Sequence, residues 1–158
     1  MTEINGPASR VKGAAESFGL SVTPRIMPEK TRTAEEAAAA CGCEVGEIVK
    51  SLVFRGTTSG NGVLLLVSGV NRVDEEKVAG PVGEPIMRPD AAFVRALTGF
   101  AIGGIPPLGH ATPLPTFIDR DLLAYETVWA AAGTPNAVFS VDPKALAAAI
   151  GAVIIDVC

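Results

Sequence analysis

The chain has 158 residues, 48% of them hydrophobic but only 5% aromatic, and carries 13 basic against 17 acidic side chains, a net charge of −4 with its one histidine neutral. That length suits one domain (1–158) able to bury roughly 68–70% of its unfolded surface, in a core built from Ala, Val, Leu and Ile. No basic run tracks a phosphate backbone, and the longest apolar runs, such as VLLLV at 63–67, are far too short to cross a bilayer. These features argue against a strongly electrostatic DNA binder and against a membrane protein.

Taken in chain order, the N-terminus (MTEINGPASRVKG) lacks the basic and apolar regions of a signal peptide, which predicts a cytoplasmic protein. Val11, Ala14, Ala15 and Phe18 recur at helical spacing and predict a helix over Ser9–Phe18, stopped by Gly19. Residues 21–27 predict a short strand that Pro24 confines to a sheet edge. In TAEEAAAACG, Thr33 and Glu36 have capping-box spacing and open a second helix. Three cysteines, an odd number, argue against a disulfide framework, and Cys41-x-Cys43 with one further Cys and one His falls short of a zinc set. They read as buried or helix-end thiols in a reducing compartment.

Two β-rich runs, 48–55 and 62–69, flank the turn-rich GTTSGN and predict a hairpin. A short helix is expected from Asp74 to Val78, stopped by Gly80 and Pro81, and another from Pro89 to about Leu97 with the proline at its first position. Short strands follow at 116–119, 127–131 and 137–141. Asp142 reads as an N-cap before Pro143, Gly151 closes that helix, and AVIIDV ends the chain as a buried-type strand. Interspersed elements with hairpins and few long crossovers predict an α+β domain, a curved mixed sheet flanked by helices.

Two places could carry chemistry. Lys50 opens a strand otherwise made for burial; it either snorkels to the surface or sets an ammonium over a pocket to hold a phosphate or carboxylate. Residues 99–110, GFAIGGIPPLGH, combine four glycines with two adjacent prolines. Such a segment either crosses tightly between strands or fixes backbone N–H groups into an anion nest or oxyanion hole. It is not G-x-G-x-x-G, because Gly103 and Gly104 are adjacent and no long helix follows. His110, the one imidazole, is either structural or an acid–base group. Without a Ser-His-Asp set or a His pair, an enzyme of this kind works by positioning and backbone donors.

At these residues the chain resembles the YbaK/EbsC proteins, related to the editing domain inserted in bacterial prolyl-tRNA synthetases. The resemblance runs over nearly the whole chain: RTAEEAA at 32–38, IVKSLVF at 48–54, TGFAIGGIPPLGH at 98–110, FID at 117–119 and the closing AVIIDV. It implies a free-standing deacylase that hydrolyses the ester of a mischarged tRNA, with tRNA-Pro or a related tRNA bearing a small amino acid as substrate. Lys50 would anchor the terminal adenosine, and the backbone at Gly103 and Gly104 would face the aminoacyl carbonyl. Water is the implied nucleophile, with a ribose hydroxyl assisting. His110 matches a histidine of one group of relatives, as a catalytic or orienting residue. Substrate-binding positions are implied at Thr33, Asn71, Gly99 and Ile105, and also at Pro106, Gly109, Asp119 and Ala131. Ala131 stands where some relatives have serine, which bears on the amino acid accepted. No metal or cofactor is implied; the partners are the aminoacyl-tRNA acceptor end and a synthetase. The competing reading is a non-catalytic module that holds an aminoacyl-nucleotide-like ligand or docks to a synthetase. A DNA-binding regulator is the weakest, for want of a basic stripe or helix-turn-helix pattern.

Overall fold

The computed structural model describes residues 6–28, 31 and 33–158. Residues 1–5 of the N-terminal stretch, and Arg32 of RTAEEAA, lie outside the described residues. Helix α1 (Pro7–Ser17) takes Pro7 in its first turn and is followed by Gly19 at a φ of 82°. Strand β1 (Arg25–Ile26) is only two residues long and begins just after Pro24. In α2 (Ala34–Cys41) the Thr33–Glu36 capping box is formed in both directions, each bond 3.1 Å, and left-handed Gly42 ends the helix. Strands β2 (Val49–Gly56) and β3 (Gly62–Ser68) form the expected antiparallel hairpin.

The next two helices correct the sequence reading at their ends. Helix α3 (Glu75–Val82) contains Gly80 and Pro81 and stops instead at Gly83, φ 94°. Proline is tolerated there because its missing N–H deprives only the carbonyl of Lys77, an exposed residue whose carbonyl water can serve. After β4 (Ile86–Met87), α4 (Ala91–Thr98) starts one residue beyond Asp90 rather than at Pro89. Asp90 accepts the Phe93 N–H at 2.8 Å, and that cap fixes the first turn. Then come β5 (Thr116–Asp119), β6 (Val128–Ala131), β7 (Ala137–Val141), α5 (Pro143–Ile150) and β8 (Val153–Ile155). Asp142 caps α5 as its spacing predicts, and Gly151 closes it. The closing strand is not of the buried type: β8 pairs only with β5 at the sheet's end, leaving Val153 53% and Ile154 43% exposed.

The α+β architecture holds two sheets. Five strands run in the order β4-β2-β3-β5-β8, with β3 antiparallel to β2 and parallel to β5. Three more run β1-β7-β6, all antiparallel, and one parallel bridge, Ile48 to Trp129, joins the two sheets. The central strand β3 is buried along its whole length. Its Leu64 and Leu66 join the larger core with Val49, Val53 and Ile118; Val63, Leu65 and Val67 join a second core with Phe54 and Phe117. An apolar run at 63–67 with both faces covered is what such a strand requires.

The topology leaves one opening. Strand β4 covers β2 only at Arg55 and Gly56, and the bridge to β6 is at Ile48. Between these ends the outer edge of β2 has no strand partner among the described residues. The bonds Gly69 N–H to Ile48 and Gly56 N–H to Asn61 put the even-numbered residues of β2 in hydrogen-bonded pairs with β3. The main-chain groups of Ser51 and Val53 therefore point outward, away from β3.

Candidate active site

Along that open edge lies a cavity of about 380 Å³. Strand β2 forms one wall, α2 and the residue before it another, and β6 closes the far side. The glycine-rich loop enters through Ile102, Gly103 and Ile105. Most of the lining is apolar; its cations are Lys50 and Arg88. Of the residues singled out in the sequence, Thr33, Lys50, Gly103, Ile105 and Ala131 meet here. Asn71, Gly99, Gly104, Pro106, Gly109, His110 and Asp119 stand outside the lining.

Lys50 neither snorkels freely nor stands alone. Its Nζ donates to the main-chain carbonyl of Asn71 at 2.5 Å. The Asn71 amide donates to Asp119 Oδ2 at 2.8 Å and to Asp121 Oδ2 at 2.7 Å. Asp119, 2% exposed, also accepts from the Ser68 N–H at 3.0 Å and the Asp121 N–H at 2.9 Å. A buried carboxylate satisfied by three donors is a fixed post, and Asn71 transmits that fixity to the lysine. Burial pushes the Lys50 pKa below the ordinary lysine value. Glu35 and Asp119 oppose that shift, and Arg72 and Arg88 reinforce it.

The loop's glycines divide the work. Gly103 lines the cavity at a φ of 99°, a conformation that glycine adopts without strain. Gly104 is required for close approach: a Cβ there would lie 2.8 Å from the main chain of Thr134. Its N–H is committed to the Ala101 carbonyl at 3.1 Å. The Gly103 and Ile105 N–H groups have no acceptor among the described residues, and both residues face the cavity.

His110 holds the loop from behind. Its Nε2–H donates to the Pro106 carbonyl at 2.7 Å, since a carbonyl can only accept. The ring packs edge-on to Phe100, centroids 6.3 Å apart. Burial pushes its pKa below the ordinary histidine value, against the pull of the Pro106 carbonyl. Neither Cys41 nor Cys43 is an activated thiol: burial raises the Cys41 pKa, and burial followed by Cys41, Glu47 and Glu44 pushes Cys43 up to about 11. Among the described residues no three His, Cys, Asp or Glu side chains stand together as a metal site, and no helix is long and apolar enough to cross a membrane.

The family profile of the aminoacyl-tRNA editing domain matches residues 28–149, a span that holds both the lysine and the glycine loop. The chain belongs to that family, as a member of its YbaK/EbsC type. This editing domain is 34% identical over 128 residues, 80% of each chain, to the uncharacterized protein YwhH of Bacillus subtilis (strain 168). It is 28% identical over 115 residues to EbsC of Enterococcus faecalis (strain ATCC 700802 / V583), described as a candidate Cys-tRNA(Pro)/Cys-tRNA(Cys) deacylase; the match spans 72% of this chain and 70% of that one. A solved structure described as a candidate trans-editing enzyme for prolyl-tRNA synthetase superposes with a TM-score of 0.91, 51% identity and 98% coverage of both chains. The hypothetical protein APE2540 superposes with a TM-score of 0.87 at 32% identity, covering 94% of this editing domain and 98% of its own chain.

The sequence reading passed over Ser51, Arg88, Ile102 and Trp129, all in the lining. Adjacency to Lys50 was an available signal for Ser51. No local pattern marks the other three, which three separate segments bring to one cavity.

Proposed function

We propose that this protein is a trans-acting deacylase that hydrolyses the ester of a mischarged tRNA, with tRNA-Pro or a related tRNA bearing a small amino acid as substrate. Aminoacyl-tRNA deacylation is the activity class that the family brings. The observation that carries the finer reading is that Lys50 and Gly103 line the same cavity. The ammonium of Lys50 holds the terminal adenosine end, and its anchor through Asn71 to Asp119 sets where that end lies. The Gly103 and Ile105 N–H groups receive the ester carbonyl oxygen as it gains negative charge.

Water attacks the carbonyl carbon; the tetrahedral intermediate collapses by releasing the ribose oxygen, which takes the proton. Free amino acid and uncharged tRNA result. No imidazole or carboxylate of the described lining is placed as a general base, so the neighbouring ribose hydroxyl assists the water and the protein contributes positioning. The net charge of −4 is offset locally, because Arg88 stands in the lining and Arg72 lies close enough to act on Lys50. A synthetase is the further partner that this reading admits.

The test is deacylation of tRNA-Pro charged with Ala, Cys, Ser or Thr, by wild type and Lys50→Ala. Turnover on at least one, lost in the variant, is expected. Intact, folded protein with no turnover on any would leave a binding module for an aminoacyl-nucleotide.

A further inference from the structure

Helix α1 lies against the glycine-rich segment and touches both of its ends. At the far end a Cβ on Gly109 would lie 3.1 Å from that of Ala14. At the near end Arg10, 89 positions earlier in the chain, donates from Nη2 to the Gly99 carbonyl at 3.2 Å. The same guanidinium lies over the Phe100 ring, 4.5 Å from its centroid. Arg10 is exposed and joins no ion pair among the described residues, whereas the residue whose ring it covers is 2% exposed.

The Phe100 ring passes that contact on. It meets His110 edge-on, and a Cβ on Gly133 would stand 3.1 Å from it. Gly133 adjoins Thr134, the residue whose main chain Gly104 packs against. His110 in turn holds the Pro106 carbonyl. The N–H groups of Gly103 and Ile105 therefore sit between two posts, Phe100 and Pro106, which the Phe100–His110 contact ties together. Thr98 Oγ1 accepts from the Phe100 N–H at 3.1 Å, so the main chain is pinned from inside and the ring from outside.

We infer that Arg10 is a positioning residue for deacylation: by seating Phe100 and holding the Gly99 carbonyl, it fixes the direction of the Gly103 and Ile105 N–H groups. This deepens the deacylase reading and rests on it. Close-packed contacts transmit a shift rather than absorb it. A ring released from Arg10 moves against Gly133 and Thr134, and Gly104 moves with them. Donors to a developing oxyanion act only when they are preorganised, so a small misdirection costs rate more than ground-state binding. Lys50 stands on a different element, and the hold on the adenosine end stays as it was.

The test compares wild type, Arg10→Ala and Arg10→Lys on the tRNA-Pro ester that wild type turns over fastest, thermal melts confirming that all three are folded. Arg10→Ala should lower kcat by about tenfold or more with KM nearly unchanged. Arg10→Lys keeps a cation over the ring and a donor toward Gly99, and should recover most of that loss. An unchanged kcat overturns the assignment. So does a raised KM with kcat kept, which would mark Arg10 as a contact to the tRNA itself. In parallel, amide relaxation by NMR measures the order of the Gly103 and Ile105 N–H groups in the three proteins without substrate. Lower order in Arg10→Ala, restored in Arg10→Lys, is expected; equal order in all three also overturns the assignment. No turnover by wild type on any tRNA, with that loss and recovery of order, would sink the deacylase reading and leave the Arg10 clamp standing.

Discussion

The Lys50 ammonium and the Asn71 main-chain carbonyl are 2.5 Å apart, although 21 positions separate them in the chain. Lys50 belongs to β2, whose open stretch borders the cavity, and Asn71 follows β3, the strand paired with it. The hairpin thus folds back its own anchor for the one lysine that lines the cavity.

Removing that lysine should damage activity far more than stability. Lys50→Ala is expected to lower kcat/KM by about 10²-fold, the cost of a lost charged contact to a bound anion, while the melting temperature moves little. Its pKa gives a second signature. Because burial lowers it, the ammonium is lost as pH rises through a value below the ordinary lysine's. Affinity for adenosine 5′-monophosphate, followed by calorimetry, should fall in that alkaline range. The residual binding of Lys50→Ala should stay flat across it.

Asp119→Ala should destabilise the fold and loosen the site together. It strips partners from the Ser68 N–H, the Asn71 amide and the Asp121 N–H. A loss of about 3 kcal/mol in urea unfolding is expected from donors left unpaired around a buried position. Full stability in the variant would refute the fixed-post role. Asp119→Asn tests the same network, because its new NH₂ group confronts existing donors.

Gly104→Ala places a methyl 2.8 Å from the Thr134 main chain. Neither backbone can give way cheaply, so a cost of about 1–3 kcal/mol is expected, with loss of deacylation as Gly103 shifts. A variant as stable and active as wild type would show that the loop tolerates displacement.

His110 should report on stability through pH. Its folded pKa lies below the unfolded value, roughly 6.5, so unfolding takes up a proton in acid. The contribution is therefore complete above about pH 6.5 and is lost as pH falls through the folded pKa. Between about pH 7 and pH 5 the melting temperature of wild type should fall more than that of His110→Gln, whose amide can still reach Pro106. If His110→Gln instead removes an inflection from the pH profile of deacylation, the imidazole is an acid–base group after all.

Ser51→Ala should raise stability by about 1 kcal/mol, because it removes a buried hydroxyl that has no partner. Chemical denaturation decides it. A destabilised variant would mean that the hydroxyl is paired in the free protein.

The helices and strands were largely legible because local chemistry sets them. The Thr33–Glu36 box, the Asp142 cap and the uniformly apolar run of β3 each act within a few residues. Errors fell where distant context overrides local preference. Pro81 stays in α3 because the carbonyl it orphans is on an exposed residue, and β8 is half-exposed because no strand follows it in the sheet.

The site was legible only in part. Lys50 and the glycine-rich loop stand out by composition, since a lysine in a buried run and glycines beside prolines are locally anomalous. Their meeting in one cavity is a tertiary fact, as is the position of Asn71, Asp119 and His110 outside its lining. Sequence by itself determined which elements form and which residues are unusual, because caps, turns and hydrophobic periodicity are short-range. Only the tertiary structure decided which donors remain free, among them the N–H groups of Gly103 and Ile105 and the hydroxyl of Ser51. Hydrogen-bond satisfaction depends on partners that the fold brings from elsewhere in the chain.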